Sequence, residues 1–137
     1  EVTLQVSSLA PWTDTGVDVA AGAELRITAT GTVRYGGQGS QVTDADGGNF
    51  DGQKFFSTAV LPNAVIVSLI GKVGGGAALD TGSLLPEGTS GDGPGFVGSS
   101  YDEPAPAAGR LFLGFNDQRQ AFGDNAGAFT VTIRVGC

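Results

Sequence analysis

The chain has 137 residues, fourteen acidic against seven basic side chains, a net charge of −7 and no histidine. The Lys and Arg residues are scattered singly, which excludes the clustered basic face that phosphate-backbone binding needs, and no apolar run is long enough to span a bilayer. The missing histidine removes the usual partner of a Ser or Cys nucleophile, and Cys137, the single cysteine, rules out an internal disulfide. The length suits one domain over residues 1–137 with a packed core.

In chain order the first signal is period-two alternation. Val2, Leu4 and Val6 alternate with Thr3, Gln5 and Ser7, and the pattern returns at Leu25, Ile27 and Ala29. Each is the mark of a half-buried strand. Gly36 to Gln53 and Gly74 to Pro106 are polar and glycine-rich, longer than ordinary connections, and of the kind that carries function. Between them Ala64 to Ile70 (AVIVSLI) is a more continuous apolar run, which suits a strand covered on both faces or a short buried helix, and its β-branched residues favour the strand. Phe96 and Val97 predict one short strand inside the second polar segment. Alternation resumes at Leu111, Leu113 and Phe115, and again at Phe129, Val131, Ile133 and Val135. With 24 glycines and 6 prolines and no helical period, the whole predicts an all-β, antiparallel β-sandwich of about eight strands, of the galactose-binding-domain or jelly-roll type.

Between the last two strands lies FNDQRQAFGDNAGAF, from Phe115 to Phe129. Asp117, Asp124 and Asn125 offer hard oxygen atoms, and Gly123 and Gly127 let the backbone curl around one cation. Such a set suits Ca²⁺, which takes about six to eight oxygen ligands in loosely constrained geometry. A solvated hairpin would use the same residue types without any metal. Asp44, Asp46, Asn49 and Asp51 form a second acidic group, but it does not follow the EF-hand loop, because Asn49 stands where Gly is needed and Phe55 where Glu is needed. A second calcium site and a solvated acidic loop both remain open there. Trp12, Phe50, Tyr101 and Phe122 are candidate stacking platforms for a sugar ring, although large aromatics more often pack a core or its rim.

The run Asn116, Asp117, Asp124, Asn125, Ala126, Gly127, Ala128, Phe129 resembles the calcium-dependent galactose-binding bacterial lectins represented by the PA-I galactophilic lectin. Weaker echoes lie at Ala20 to Tyr35, Val67 to Gly71 and Phe129 to Val135. The resemblance implies Ca²⁺ as cofactor, with side-chain oxygens from Asp117, Asp124 and Asn125 and backbone carbonyls from Tyr35 and Ala121. It implies galactose-like glycans as partners, held by hydrogen bonds from Asp117, Gln118 and Asp124 and from a His and a Gln in the first long loop. Asn49 stands in for that His, with Asp51 as the alternative, and Gln53 for the Gln. Asp124 replaces an amide of the family, so it accepts hydrogen bonds but cannot donate them when ionised. The lost His either alters the preferred sugar or abolishes sugar binding.

The expected function is therefore non-catalytic, calcium-dependent carbohydrate binding by a secreted bacterial lectin or carbohydrate-binding module. The alternative is a calcium-stabilised structural module that self-associates, through a strand such as Glu1 to Ser7 or through Cys137, as a homo-oligomer. A start at Glu1 without an initiator Met or signal peptide is expected of a mature secreted protein or an excised module.

Overall fold

The computed structural model describes residues 1–9, 11–35, 41–47, 55, 57, 59–62, 64–74, 82–85, 93, 95–117 and 125–136. The elements among them are all strands: β1 (Val2–Ser7), β2 (Thr13–Val19), β3 (Glu24–Thr30), β4 (Val33–Tyr35), β5 (Gln41–Thr43), β6 (Leu69–Val73), β7 (Ser83–Leu84), β8 (Ser100–Pro104), β9 (Gly109–Phe115) and β10 (Ala128–Val135). One four-stranded sheet has the order β1-β10-β3-β8 and the other β2-β9-β6-β7. Every pairing is antiparallel. This order is that of a jelly roll, with the β4-β5 hairpin inserted between its third and fourth sandwich strands.

Alternation decides what each sheet shows to the other. In the first sheet Val6, Leu25, Ile27, Ala29, Phe129, Val131 and Ile133 point inward and are buried. Their neighbours Thr3, Gln5, Thr28, Thr130 and Thr132 lie on the solvent face, where Gln5 Nε2 donates to Thr130 Oγ1 at 2.9 Å. Register is specified by this pattern, because a one-residue slip would expose the whole apolar set. Leu69, Val73, Leu111, Leu113 and Phe115 of the second sheet complete the central core.

The second sheet is covered on its outer face as well. Ile70 and Phe112 pack there with Trp12, Val60, Leu61 and Ala64, so β6 is buried at all five positions. Lys72 lies in this layer without solvent exposure, its ammonium 4.7 Å from the Trp12 ring centre and 5.6 Å from that of Phe112. Such stacking offsets part of the cost of burying the charge.

Several sequence expectations change here. The strand predicted over Ala64 to Ile70 begins only at Leu69. Residues 64–68 instead form turns, and Val67 has a φ of 56°, a conformation a β-branched residue rarely adopts. Phe96 makes a single bridge to Ile70 instead of the short strand predicted with Val97. Gly95 and Gly98 flank the pair at φ values of 86° and 69°, which interrupts extended backbone. Both long polar segments also contain strands: β5 lies in the first, β7 and β8 in the second.

Candidate metal and ligand site

Three of the five predicted metal-site residues are described, and separate elements bring them to one end of the sandwich. Tyr35 ends β4, at the mouth of the first long loop as its sequence position suggests. Ala126 joins the neighbouring strand by a bridge: Arg34 N donates to Ala126 O at 2.8 Å and Ala126 N to Arg34 O at 3.0 Å. Antiparallel register then sets Asn125 opposite Tyr35. Asp117 follows the end of β9, and its negative charge, after burial itself, helps push the Tyr35 phenol above its ordinary value.

Asn116 and Asp117 are adjacent and do different work. Asn116 is fully buried and clamps the turn that covers the second sheet. Its Oδ1 accepts from Leu61 N at 2.8 Å, and its Nδ2 approaches the carbonyls of Leu61, Ala64 and Val65 at 3.1, 3.2 and 2.9 Å. Its backbone accepts Val67 N at 2.6 Å and donates to Ser68 O at 2.9 Å, which holds Val67 in its left-handed conformation. Asp117 O in turn accepts Val60 N at 3.1 Å. The Asp117 carboxylate is consequently seated by a fixed backbone, with only 5% of the residue exposed.

Asn125 is held from the other side. Its Nδ2 donates to Ser8 O at 2.7 Å, and Ser8 is itself tied down, its Oγ donating to Gly127 O at 2.8 Å. The amide orientation is thereby set, and Oδ1 becomes the end available for another contact. That oxygen is buried and receives no hydrogen bond among the described residues. A buried acceptor without a donor costs about 1–3 kcal/mol, and a nearby cation would offset that cost. The Asp117 Oδ2 is also buried. An amide oxygen, a carboxylate and a strand-end carbonyl are the hard-oxygen donors Ca²⁺ prefers, so the residues present fit such an ion.

Ala121 and Asp124 of the metal set, and Asn49, Gln53 and Gln118 of the sugar set, lie outside the described residues. So do Asp51, Phe50, Phe122 and Cys137. In the second acidic group the two described members have structural partners: Asp44 Oδ1 accepts Asp46 N at 3.0 Å, while the Asp46 carboxylate takes Ser99 N at 2.7 Å and Ser99 Oγ at 2.9 Å. Among the described residues no three acidic, Cys or His side chains gather in a metal-binding group. Trp12 and Tyr101 are each 6% exposed, so both belong to the interior and offer no open platform to a sugar. Ser8 matters for seating the site but carries no recognisable sequence signal, because it acts through distant backbone, and Asn116, which stands in the lectin-like run, has a clamping role that only its contacts with Leu61, Ala64 and Val65 reveal.

No known family model matches this chain, nor does any curated protein sequence. A solved structure does. The N-terminal domain of EclA, described as a PllA-like lectin, superposes with a TM-score of 0.65 at 26% identity, covering 97% of this chain and 94% of that one. The chain therefore has a lectin-type β-sandwich fold along almost its full length.

Proposed function

We propose that this protein is a non-catalytic lectin or carbohydrate-binding module that recognises galactose-like glycans through one Ca²⁺. The observation that carries this reading is the buried Asn125 Oδ1, fixed by Ser8 and lacking a donor among the described residues, beside the buried Asp117 carboxylate. Likeness to a PllA-like lectin supports carbohydrate as the ligand class. Tyr35 O, Asp117, Ala121, Asp124 and Asn125 would hold the ion, which when bound supplies an electrophile for paired sugar hydroxyls. Asn49, Gln53, Gln118, Asp117 and Asp124 would orient those hydroxyls by hydrogen bonding. Because a monosaccharide offers few atoms, one site binds weakly and useful avidity requires several linked sites. An extracellular, bacterial setting completes the proposal.

A second reading, a calcium-stabilised module that self-associates, draws on β1. It is an edge strand paired with β10 only among the described residues, and it has no charged residue from Val2 to Ser7, so it carries none of the charges that usually guard an edge.

One experiment separates the two. Wild type and Asp117→Ala are compared on immobilised galactosides, with millimolar-scale Ca²⁺ or a chelator, and by sedimentation. Retention that needs both calcium and Asp117 is the expected result. No retention although calcium is bound, together with an oligomer that loosens in the variant, would establish the second reading instead.

A further inference from the structure

Among the described residues β1, β8, β2 and β7 lie at the sheet edges, and all but β1 are guarded. β2 carries Asp14 and Asp18, and its pairing with β9 shifts between them. β8 carries Asp102, Glu103 and Pro104, and β7 spans only 2 residues. Charge, proline, irregular pairing and shortness are the usual devices that keep an edge from adding a strand. β1 has none of them. It runs for 6 residues, VTLQVS, in unbroken register with β10 from Val2 opposite Ile133 to Ser7 opposite Ala128.

The hydrogen bonds show which groups its open side presents. Ser8 N donates to Gly127 O at 3.2 Å, one step beyond that register, so Ser8, and in the same phase Val6, Leu4 and Val2, turn their backbone groups toward β10. On the far side of β10, Gly136 N donates to Glu24 O at 2.8 Å, which fixes the same phase from β3. Thr3, Gln5 and Ser7 therefore hold their N–H and C=O outward, where no strand pairs with them among the described residues.

These groups are self-complementary. Residues opposite each other in antiparallel strands share a face, so a second β1 keeps Leu4 and Val6 on the core side only when odd positions meet odd ones. A twofold axis at Gln5 pairs Thr3 with Ser7, Gln5 with Gln5 and Leu4 with Val6 across it, and engages all three outward residues in about six backbone hydrogen bonds. An axis at Leu4 leaves Ser7 without a match inside the strand. Charge favours the same edge. The chain carries a net charge of −7, yet β1 brings no carboxylate, and its solvent face is built of Thr3 bonded to Thr132 and Gln5 bonded to Thr130.

We infer that β1 is a dimerisation edge, at which a second copy of this chain pairs antiparallel about Gln5 and the two four-stranded sheets become one continuous sheet. One strand pair buries less than a standard interface, so the dimer forms in the micromolar range. It needs neither calcium nor sugar. The axis sets the two Ser8 residues, and the candidate ion sites that they support, about 20 Å apart along the strands, toward opposite ends of the joint sheet. Under the lectin reading such a dimer bridges two glycan carriers.

Sedimentation velocity from micromolar to millimolar concentration tests it, in reducing buffer so that Cys137 forms no disulfide, with amide hydrogen exchange over the same range. Wild type passes from monomer to dimer, and exchange at Thr3, Gln5 and Ser7 slows about tenfold as it does so, while Leu4 and Val6, bonded to β10, stay protected throughout. Gln5→Pro removes an N–H that the β10 ladder does not use and weakens association about tenfold. Gln5→Lys, at an exposed position, opposes two ammonium groups across the axis and weakens it about fivefold, and an equimolar mixture of Gln5→Lys with Gln5→Glu recovers it. Melting curves establish that each variant is folded. A monomer at every concentration, a dimer that Gln5→Lys leaves unchanged, or exchange at Gln5 that does not depend on concentration overturns the inference. Each of these outcomes leaves the lectin reading standing, because galactoside retention tests that separately.

Discussion

Asn116 shows how one side chain can organise a site it does not enter. It exchanges hydrogen bonds with Leu61, Ala64 and Val65, and through its backbone it holds Val67 and Ser68. Replacing it by Ala strands several buried polar groups, each worth about 1–3 kcal/mol when left unsatisfied. Asn116→Ala should therefore destabilise the fold by roughly 3–4 kcal/mol, near the upper end for a point mutation, measured as a fall in urea midpoint. Asn116→Asp should recover little, since an ionised carboxylate cannot donate to the three carbonyls. Asn125 is the complementary case. Its amide nitrogen is spent on Ser8, so its value to the site lies in the oxygen that remains.

Among the elements, β2 and β9 combine an irregular pairing with a close backbone approach just before β2. The pairing shifts between Asp14 and Asp18, with Gly16 between them at a φ of 76° and its N–H donating to Asp14 Oδ1 at 2.9 Å. That bond, and then Arg110, hold the Asp14 carboxyl below its usual value. Where residues 11 and 12 pass over β9, a Cβ on Gly114 would sit 1.8 Å from Pro11 O and 3.1 Å from Trp12 Cε3. Backbone cannot yield as a flexible side chain does. Gly114→Ala should cost about 3 kcal/mol, the upper range for overpacking, and equilibrium denaturation would show a lower midpoint at an unchanged slope. The predicted strand at Ala64 to Ile70 illustrates the limit of reading elements from composition. Its apolar residues are buried, as expected, but the carbonyls of Ala64 and Val65 are bonded by the Asn116 side chain, and Ser68 Oγ donates to Val65 O at 2.7 Å. Side-chain bonds thus stand where a strand partner would be required.

At the scale of the molecule, the proposed calcium ion would be linked to stability. An ion held at Tyr35, Asp117 and Asn125 would join the hairpin of β4 and β5 to the ends of β9 and β10, which among the described residues meet through the backbone bonds of Arg34 and Ala126. With free Ca²⁺ at about 100 times its dissociation constant, linkage adds about 2.7 kcal/mol, which for a chain of this size is on the order of 10 °C in melting temperature. Calorimetry with and without a chelator checks this. Asp117→Ala and Asn125→Ala should each abolish the calcium-dependent shift, whereas a shift that persisted in both would place any bound ion elsewhere.

The sequence by itself determined the layers of this protein. Strict alternation at Leu25 to Ala29 and Phe129 to Val135 could serve only strands with one face in a core, and the oxygen-rich run from Asp117 to Asn125 raised the expectation of a hard cation. Periodicity carries such information because it is local: each residue's face follows from its neighbours two positions away. Tertiary structure alone decided how the chain meets itself over long separations. It placed Ser8 against Asn125, Asn116 against Leu61, Ala64 and Val65, and Lys72 against two aromatic rings. These roles depend on which strand lies next to which, and hydrogen-bonding capacity in a sequence does not specify the distant backbone that will satisfy it.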